Sequence, residues 1–241
     1  MNLCLVSRFN TSNTAPRTPH LVLLAGLLAV GLVPSSADAQ PDTTRWTSEL
    51  AMQYDKIAAN KLSPDGERVA YVVKEAVMEQ TTSEFRKHIH VAAVDGRSDV
   101  QFTYGEHSNF SPRWSPSGDR IAFLSTRGPG PPQVYLMRTD GGEAYAVTGS
   151  ETGVNSFEWG PEGERIAYTA TNPKSPLEKK REREKRDVRV VGDEYRYAHL
   201  YVTEVRSAGT PVPEASRLTS GKFHVRGFDW APDGETIAFA H

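Results

Sequence analysis

Four ten-residue stretches of this chain align without a gap: LSPDGERVAY at 62–71, WSPSGDRIAF at 114–123, WGPEGERIAY at 159–168 and WAPDGETIAF at 230–239. Self-similarity of this kind restricts a chain to repeat architectures. The shared pattern, W-x-P-x-G-x-x-I-A-[FY], reads as a hairpin. Pro64, Pro116, Pro161 and Pro232 preset φ at about −65° for the second residue of a turn. Gly66, Gly118, Gly163 and Gly234 permit the left-handed conformation that ends it. Before the turn the chain is extended, and Phe157 and Trp159, two apart, share one sheet face. After the turn, the short apolar run I-A-[FY] is that of a strand buried on both faces.

The remainder of each unit also recurs. A third extended stretch follows at 88–94, 133–137 and 199–205, then a turn such as Asp140-Gly141-Gly142, then a fourth stretch at 99–103, 143–148 and 216–219. Four antiparallel strands in roughly 45 to 50 residues have the size and content of a propeller blade. The expected fold is therefore all-β: a β-propeller of four-stranded antiparallel blades at about 55–103, 108–148 and 153–219, with the first hairpin of a fourth at 224–241. Known propellers close with roughly 4 to 8 blades, so the expectation is an incomplete propeller, part of a longer protein. The repeat prolines lie 52, 45 and 71 residues apart. The long third interval places an insertion at about 172–197, between the second and third strands of the third blade.

Ahead of the repeats, Arg8 and Arg17 precede an apolar run at 21–33, and Ala37-x-Ala39 fits the small-residue rule for signal cleavage. The run is about 13 residues, or roughly 20 Å of helix, short of the roughly 30 Å that a bilayer core requires. The expectation is a cleaved signal peptide at 1–39 and an exported chain, periplasmic or secreted, without stable membrane insertion afterwards. The single cysteine, Cys4, lies in that segment, so the mature chain has no disulfide, thiolate metal site or cysteine nucleophile. Residues 40–54 form an arm or short helix, since Trp46, Leu50 and Tyr54 recur every four residues. The formal net charge of −2 gives no basic excess for nucleic acid.

Candidate chemistry is sparse. No G-x-S-x-G nucleophile elbow occurs. His88 and His90 alternate along a strand as a metal pair does, but polar residues on an exposed strand face explain them more simply. Trp114, Trp159 and Trp230 hold one repeat position, which makes them core between blades rather than a carbohydrate platform. In the insertion, 178–186 interleaves six Lys/Arg with three Glu, the pattern of a solvated loop or short exposed helix, with Glu182 and Arg186 at i, i+4 spacing. Asp193, Glu194 and Arg196 follow, in the kind of projecting loop that carries function. No residue is assigned a catalytic, cofactor-binding or metal-binding role, and no cofactor is expected.

The hairpins, with 111–127 (SPRWSPSGDRIAFLSTR), Asp140-Gly-Gly-Glu-Ala144 and Arg217-Leu-Thr-Ser-Gly221, resemble the propeller of the prolyl oligopeptidase family. The branch most similar is that of acylaminoacyl-peptidases and dipeptidyl-aminopeptidase-like proteins. The charged insertion followed by His199-Leu-Tyr-Val202 strengthens the resemblance. It implies a propeller that precedes a C-terminal α/β-hydrolase domain with a Ser-Asp-His triad, covers the active site and admits short peptides. The triad positions have no counterpart in these 241 residues. The parent is thus expected to be a serine peptidase, and this portion to be inactive alone. The P-D-G hairpin also occurs in Tol-system periplasmic propellers, so a protein-binding module is the competing reading.

Overall fold

The computed structural model describes residues 55–78, 83–184 and 195–241. The signal segment, the arm with Trp46, Leu50 and Tyr54, Arg186, Asp193 and Glu194 lie outside them. Three four-stranded antiparallel sheets and one hairpin follow one another along the chain. The first sheet contains β1 (Lys56–Leu62), β2 (Arg68–Met78), β3 (Ser83–Ala93) and β4 (Asp99–Gln101). The second contains β5 (Asn109–Trp114), β6 (Arg120–Ser125), β7 (Gln133–Arg138) and β8 (Tyr145–Ala146). The third contains β9 (Ser156–Trp159), β10 (Arg165–Thr171), β11 (Ala198–Glu204) and β12 (Ser216–Arg217), with helix α1 (Pro176–Arg183) between β10 and β11. Strands β13 (Gly227–Trp230) and β14 (Ile237–Ala240) form the last hairpin. Each sheet pairs its strands in sequence order, which makes it a propeller blade. No helix among the described residues is long and apolar enough to cross a membrane.

The four corners are built alike. In each, the glycine N–H returns to the carbonyl three residues earlier: Gly66 to Ser63, Gly118 to Ser115 and Gly163 to Gly160 at 2.9 Å, Gly234 to Ala231 at 3.0 Å. The glycines sit at φ 70–76°, where a side chain is strained. A second bond closes every hairpin at 2.8 Å, from the N–H of Ser63, Ser115, Gly160 and Ala231 to the carbonyl five residues on.

The core lies between blades, and the I-A-[FY] run explains why. Ile121 and Phe123 of β6 cluster with Ala70, Val72 and Ile89 of the first blade. Ala122 and Leu124, on the other face of the same strand, cluster with Phe157, Trp159 and Ile166 of the third. Ala167 and Leu200 then meet Phe228, Trp230 and Ile237 of the fourth. A central blade strand thus has no solvent face, and Ile121, Ala122 and Phe123 are fully buried. Each large apolar side chain so covered contributes about 1.5–3 kcal/mol.

The fourth strands are shorter than the sequence implies, because the ladder ends before the threonine that follows. Thr103, Thr148 and Thr219 are buried and act through their hydroxyls. The N–H groups of Ile89, Val134 and Leu200 donate to the three Oγ1 atoms at 2.8, 2.9 and 3.0 Å. Each threonine therefore clamps the outer edge of its blade to the third strand.

Candidate functional site: the connection face

The corners of successive blades stack. A Cβ on Gly118 would lie 3.6 Å from Pro64, and one on Gly163 would lie 3.4 Å from Pro116. All corners therefore share one face, and the connections between second and third strands share the opposite one. On that face the blades differ most. In the first blade, β2 and β3 pair from Arg68↔Ala93 to Met78↔Ser83, whereas β6 and β7 stop at Ser125↔Gln133. Five further pairs carry the first hairpin about 17 Å beyond the sheet, at roughly 3.4 Å per residue. In the second blade, residues 126–132 make a short connection rich in glycine and proline. In the third, Pro176–Arg183 of the insertion form α1. An extended hairpin in the first blade and a helix-bearing insertion in the third thus flank a blade with a short connection.

Helix α1 starts where its sequence requires. Ser175 and Glu178 form a reciprocal capping box: Ser175 Oγ accepts from the Glu178 N–H at 3.2 Å, and Glu178 Oε2 accepts from the Ser175 N–H at 2.5 Å. That bond holds the Glu178 carboxyl below its ordinary range. No residue of the helix is buried, as expected for a solvated charged segment. Glu182 bonds Lys174 at 2.6 and 2.7 Å, and Lys179 reaches Glu151 on the connector from the second blade at 2.5 Å. These side chains, with Thr152, Thr171 and Arg196, line a cleft of about 560 Å³. Arg196, singled out from the sequence, thus opens onto the cleft between the insertion and the preceding connector.

The histidines are placed differently from expectation. His88 is 5% exposed, not on an open strand face. It occupies the outer clamp of its blade, with Nε2 3.5 Å from Glu75, and burial pushes its pKa down. His90 lies against Tyr71, ring centroids 5.3 Å apart. Burial and the Asp99 carboxylate at 2.7 Å push Tyr71 up to about 12. No group of three or more potential metal ligands occurs among the described residues.

The tryptophans do pack between blades, and they are joined there by a residue that sequence reasoning passed over. Arg68, Arg120 and Arg165 stand two positions after the corner glycine. Each places its guanidinium over the tryptophan of the next blade, at 4.8, 5.5 and 5.3 Å from Trp114, Trp159 and Trp230. Each also donates to the next corner: Arg68 to the Gly118 carbonyl at 3.2 Å, Arg120 to Gly163 at 3.3 Å, Arg165 to Gly234 at 2.7 Å. In return Trp114 Nε1 donates to the Lys61 carbonyl at 2.9 Å and Trp159 Nε1 to Arg113 at 3.1 Å. Trp230 Nε1 is buried without a partner. The arginine recurs at one offset in three of four repeats, the signal that would have found it. Thr236 replaces it in the fourth, and Leu62, 59% exposed, stands at the tryptophan position of the first.

Residues 43–198 match the family model described as the TolB beta propeller domain. The chain is 32% identical over 192 residues to the uncharacterized peptidase YuxL of Bacillus subtilis, a match covering 74% of this chain and 28% of that protein. It is 32% identical over 82 residues to dipeptidyl-peptidase 5 of Porphyromonas gingivalis, covering 34% of this chain and 12% of that protein. Among solved structures, uncomplexed acylaminoacyl peptidase of Pyrococcus horikoshii superposes with a TM-score of 0.55 at 17% identity, over 80% of this chain and 29% of that one. That likeness is one of fold. The chain spans between 12% and 28% of the length of the curated relatives it matches.

Proposed function

The chain belongs to the TolB β-propeller domain family, and from that premise we propose that it is the substrate-gating propeller of an exported serine peptidase acting on short peptides. The chain is a propeller domain of peptidase-like proteins. In the proposal, the catalytic α/β-hydrolase domain lies in the parent protein outside these 241 residues and is this portion's first partner. Short peptides are the second. The observation that carries the reading is the asymmetry of the match: three quarters of this chain aligns with little more than a quarter of a protein named as a peptidase. The absence of a G-x-S-x-G elbow from the 241 residues agrees with chemistry performed elsewhere. The extended first hairpin and the insertion on the connection face offer a surface shaped by loops, the part of a scaffold that varies with function.

The parent protein is expected to hydrolyse chromogenic aminoacyl or peptidyl amides and to lose that activity to a serine-directed inhibitor. The 241-residue chain is expected to turn over none. A folded parent without hydrolysis would overturn the proposal. It would favour the competing reading, a protein-docking propeller, which the description of the matched family supports.

A further inference from the structure

The outer clamp is built from an amide in one blade and from imidazoles in two others. In the second blade, Gln133 Oε1 accepts from the Thr148 hydroxyl at 2.8 Å and from the Ser150 N–H at 3.0 Å, while its Nε2 donates to the Ser150 carbonyl at 2.7 Å. His199 holds the same place in the third blade. Its ring is fully buried, and Nδ1 lies 3.2 Å from Thr219 Oγ1. That oxygen also accepts the Leu200 N–H at 3.0 Å, and in the tautomer with the ring proton on Nε2 its hydroxyl donates to Nδ1, as the Thr148 hydroxyl donates to Gln133. A second imidazole does the same one residue away: His224 Nδ1 accepts the Ala198 N–H at 3.2 Å. Two backbone bonds complete the seam, Leu218 N–H to Leu200 at 2.8 Å and Val225 N–H to Ala198 at 2.9 Å.

We propose that this seam, where the third blade meets the connector to the fourth, is an acid-sensitive latch held by His199 and His224 as hydrogen-bond acceptors. A protonated imidazole has two donors and no acceptor, so acid removes the bond at Nδ1, and at the His199 ring, which unlike His224 is fully buried, it leaves a charge among buried groups. At His199 the Gly221 backbone favours the charged ring, but burial and Arg217 outweigh it. The groups around the two rings are Arg217 from β12, Tyr197 at the end of the insertion, 5.1 Å from His224, and His241, which reaches the seam through Phe223. No carboxylate of the described residues pairs with either ring. His88, at the corresponding place in the first blade, has Glu75 at 3.5 Å, which compensates a charge there. Burial, followed by Arg217, pushes His199 below its ordinary value of 6.5. The unfolded or unlatched chain therefore binds protons first. The latch is at full strength above about pH 6.5 and weakens as pH falls through that value. Because Tyr197 directly precedes β11 and Val225 starts the path to β13, opening loosens the entry to β11 and the fourth hairpin together.

Hydrogen exchange on the full chain, expressed as protection relative to intrinsic rates, tests this. Between about pH 7.5 and about pH 5, protection at Ala198 and Leu200 should fall several-fold. Val134, clamped by Gln133, should hold. His199→Gln should keep Leu200 protected in acid, and Gln133→His should transfer the acid loss to Val134. Equal loss at Val134 and Leu200 in the unaltered chain would overturn the proposal. So would a folded His199→Gln protein as labile as the parent chain. Should His199→Gln not fold, a Gln133→His protein without acid lability at Val134 overturns it as well.

Discussion

Arg120 serves two neighbours at once, the Trp159 ring and the Gly163 carbonyl of the next blade. A charge-assisted hydrogen bond contributes about 1.5–3 kcal/mol when shielded, and a guanidinium over an indole adds about 0.5–1 kcal/mol at a partly exposed site. Its side chain is about a quarter exposed, so screening trims both. Arg120→Ala should therefore lower stability by about 1–2 kcal/mol in chemical denaturation. Gly163→Ala should cost about as much for a different reason. It puts a side chain at φ 73°, where the penalty is about 1–2 kcal/mol, and sets a Cβ 3.4 Å from Pro116. Asp119 carries a pH prediction. A hydrogen bond from Ser117 holds its carboxyl below 3.8; burial opposes it, and Ser115 and Arg120 add to the lowering. Its contribution is present above about pH 3.8 and is lost as pH falls through its depressed value. An NMR titration should find its midpoint below that of an unstructured aspartate.

Elements differ in how much of their neighbourhood they need. Helix α1 buries nothing, so it depends on its own cap. Ser175→Ala should cost the helix about 1 kcal/mol. That loss should show as faster exchange at Lys179 and its neighbours without moving the global melting temperature. A central strand such as β6 is the opposite case, since both its faces are core. The contrast explains what the sequence disclosed. The corners were legible because proline and glycine act locally, through φ, and the buried strands because I-A-[FY] has no polar alternate. The inter-blade place of Trp114 and Trp159 was legible from their repeated phase. Arg68, Arg120 and Arg165 were not, because their partners belong to the next blade and an arginine after a turn looks like a solvated charge. His88 was misread for a related reason. Alternation along β3 identifies a shared face, but not that Thr103 and the connector after it close over one end of that face. At the candidate site, the exposed charged helix was legible from composition, whereas the bond from Lys179 to Glu151 joins residues 28 apart and has no local signal.

At the scale of the whole molecule, stability is passed from blade to blade, as in other repeat arrays. The first blade keeps Ile57 and Leu62 at 69% and 59% exposure, on strand β1 where the later blades bring a tryptophan against a neighbour. The 40–241 portion is therefore expected to self-associate as concentration rises, by the general tendency of open apolar faces to pair. Light scattering that shows a monodisperse monomer up to high concentration would speak against that. Successive sheets are joined by an arginine of one blade working with a tryptophan of the next, and so fan as a propeller. The most direct measurement is a double-mutant cycle in chemical denaturation on Arg120→Ala and Trp159→Phe. Joined blades predict a coupling of about 1 kcal/mol, within the range for residues in contact. Strictly additive losses would mean that the two side chains do not meet and would contradict the account.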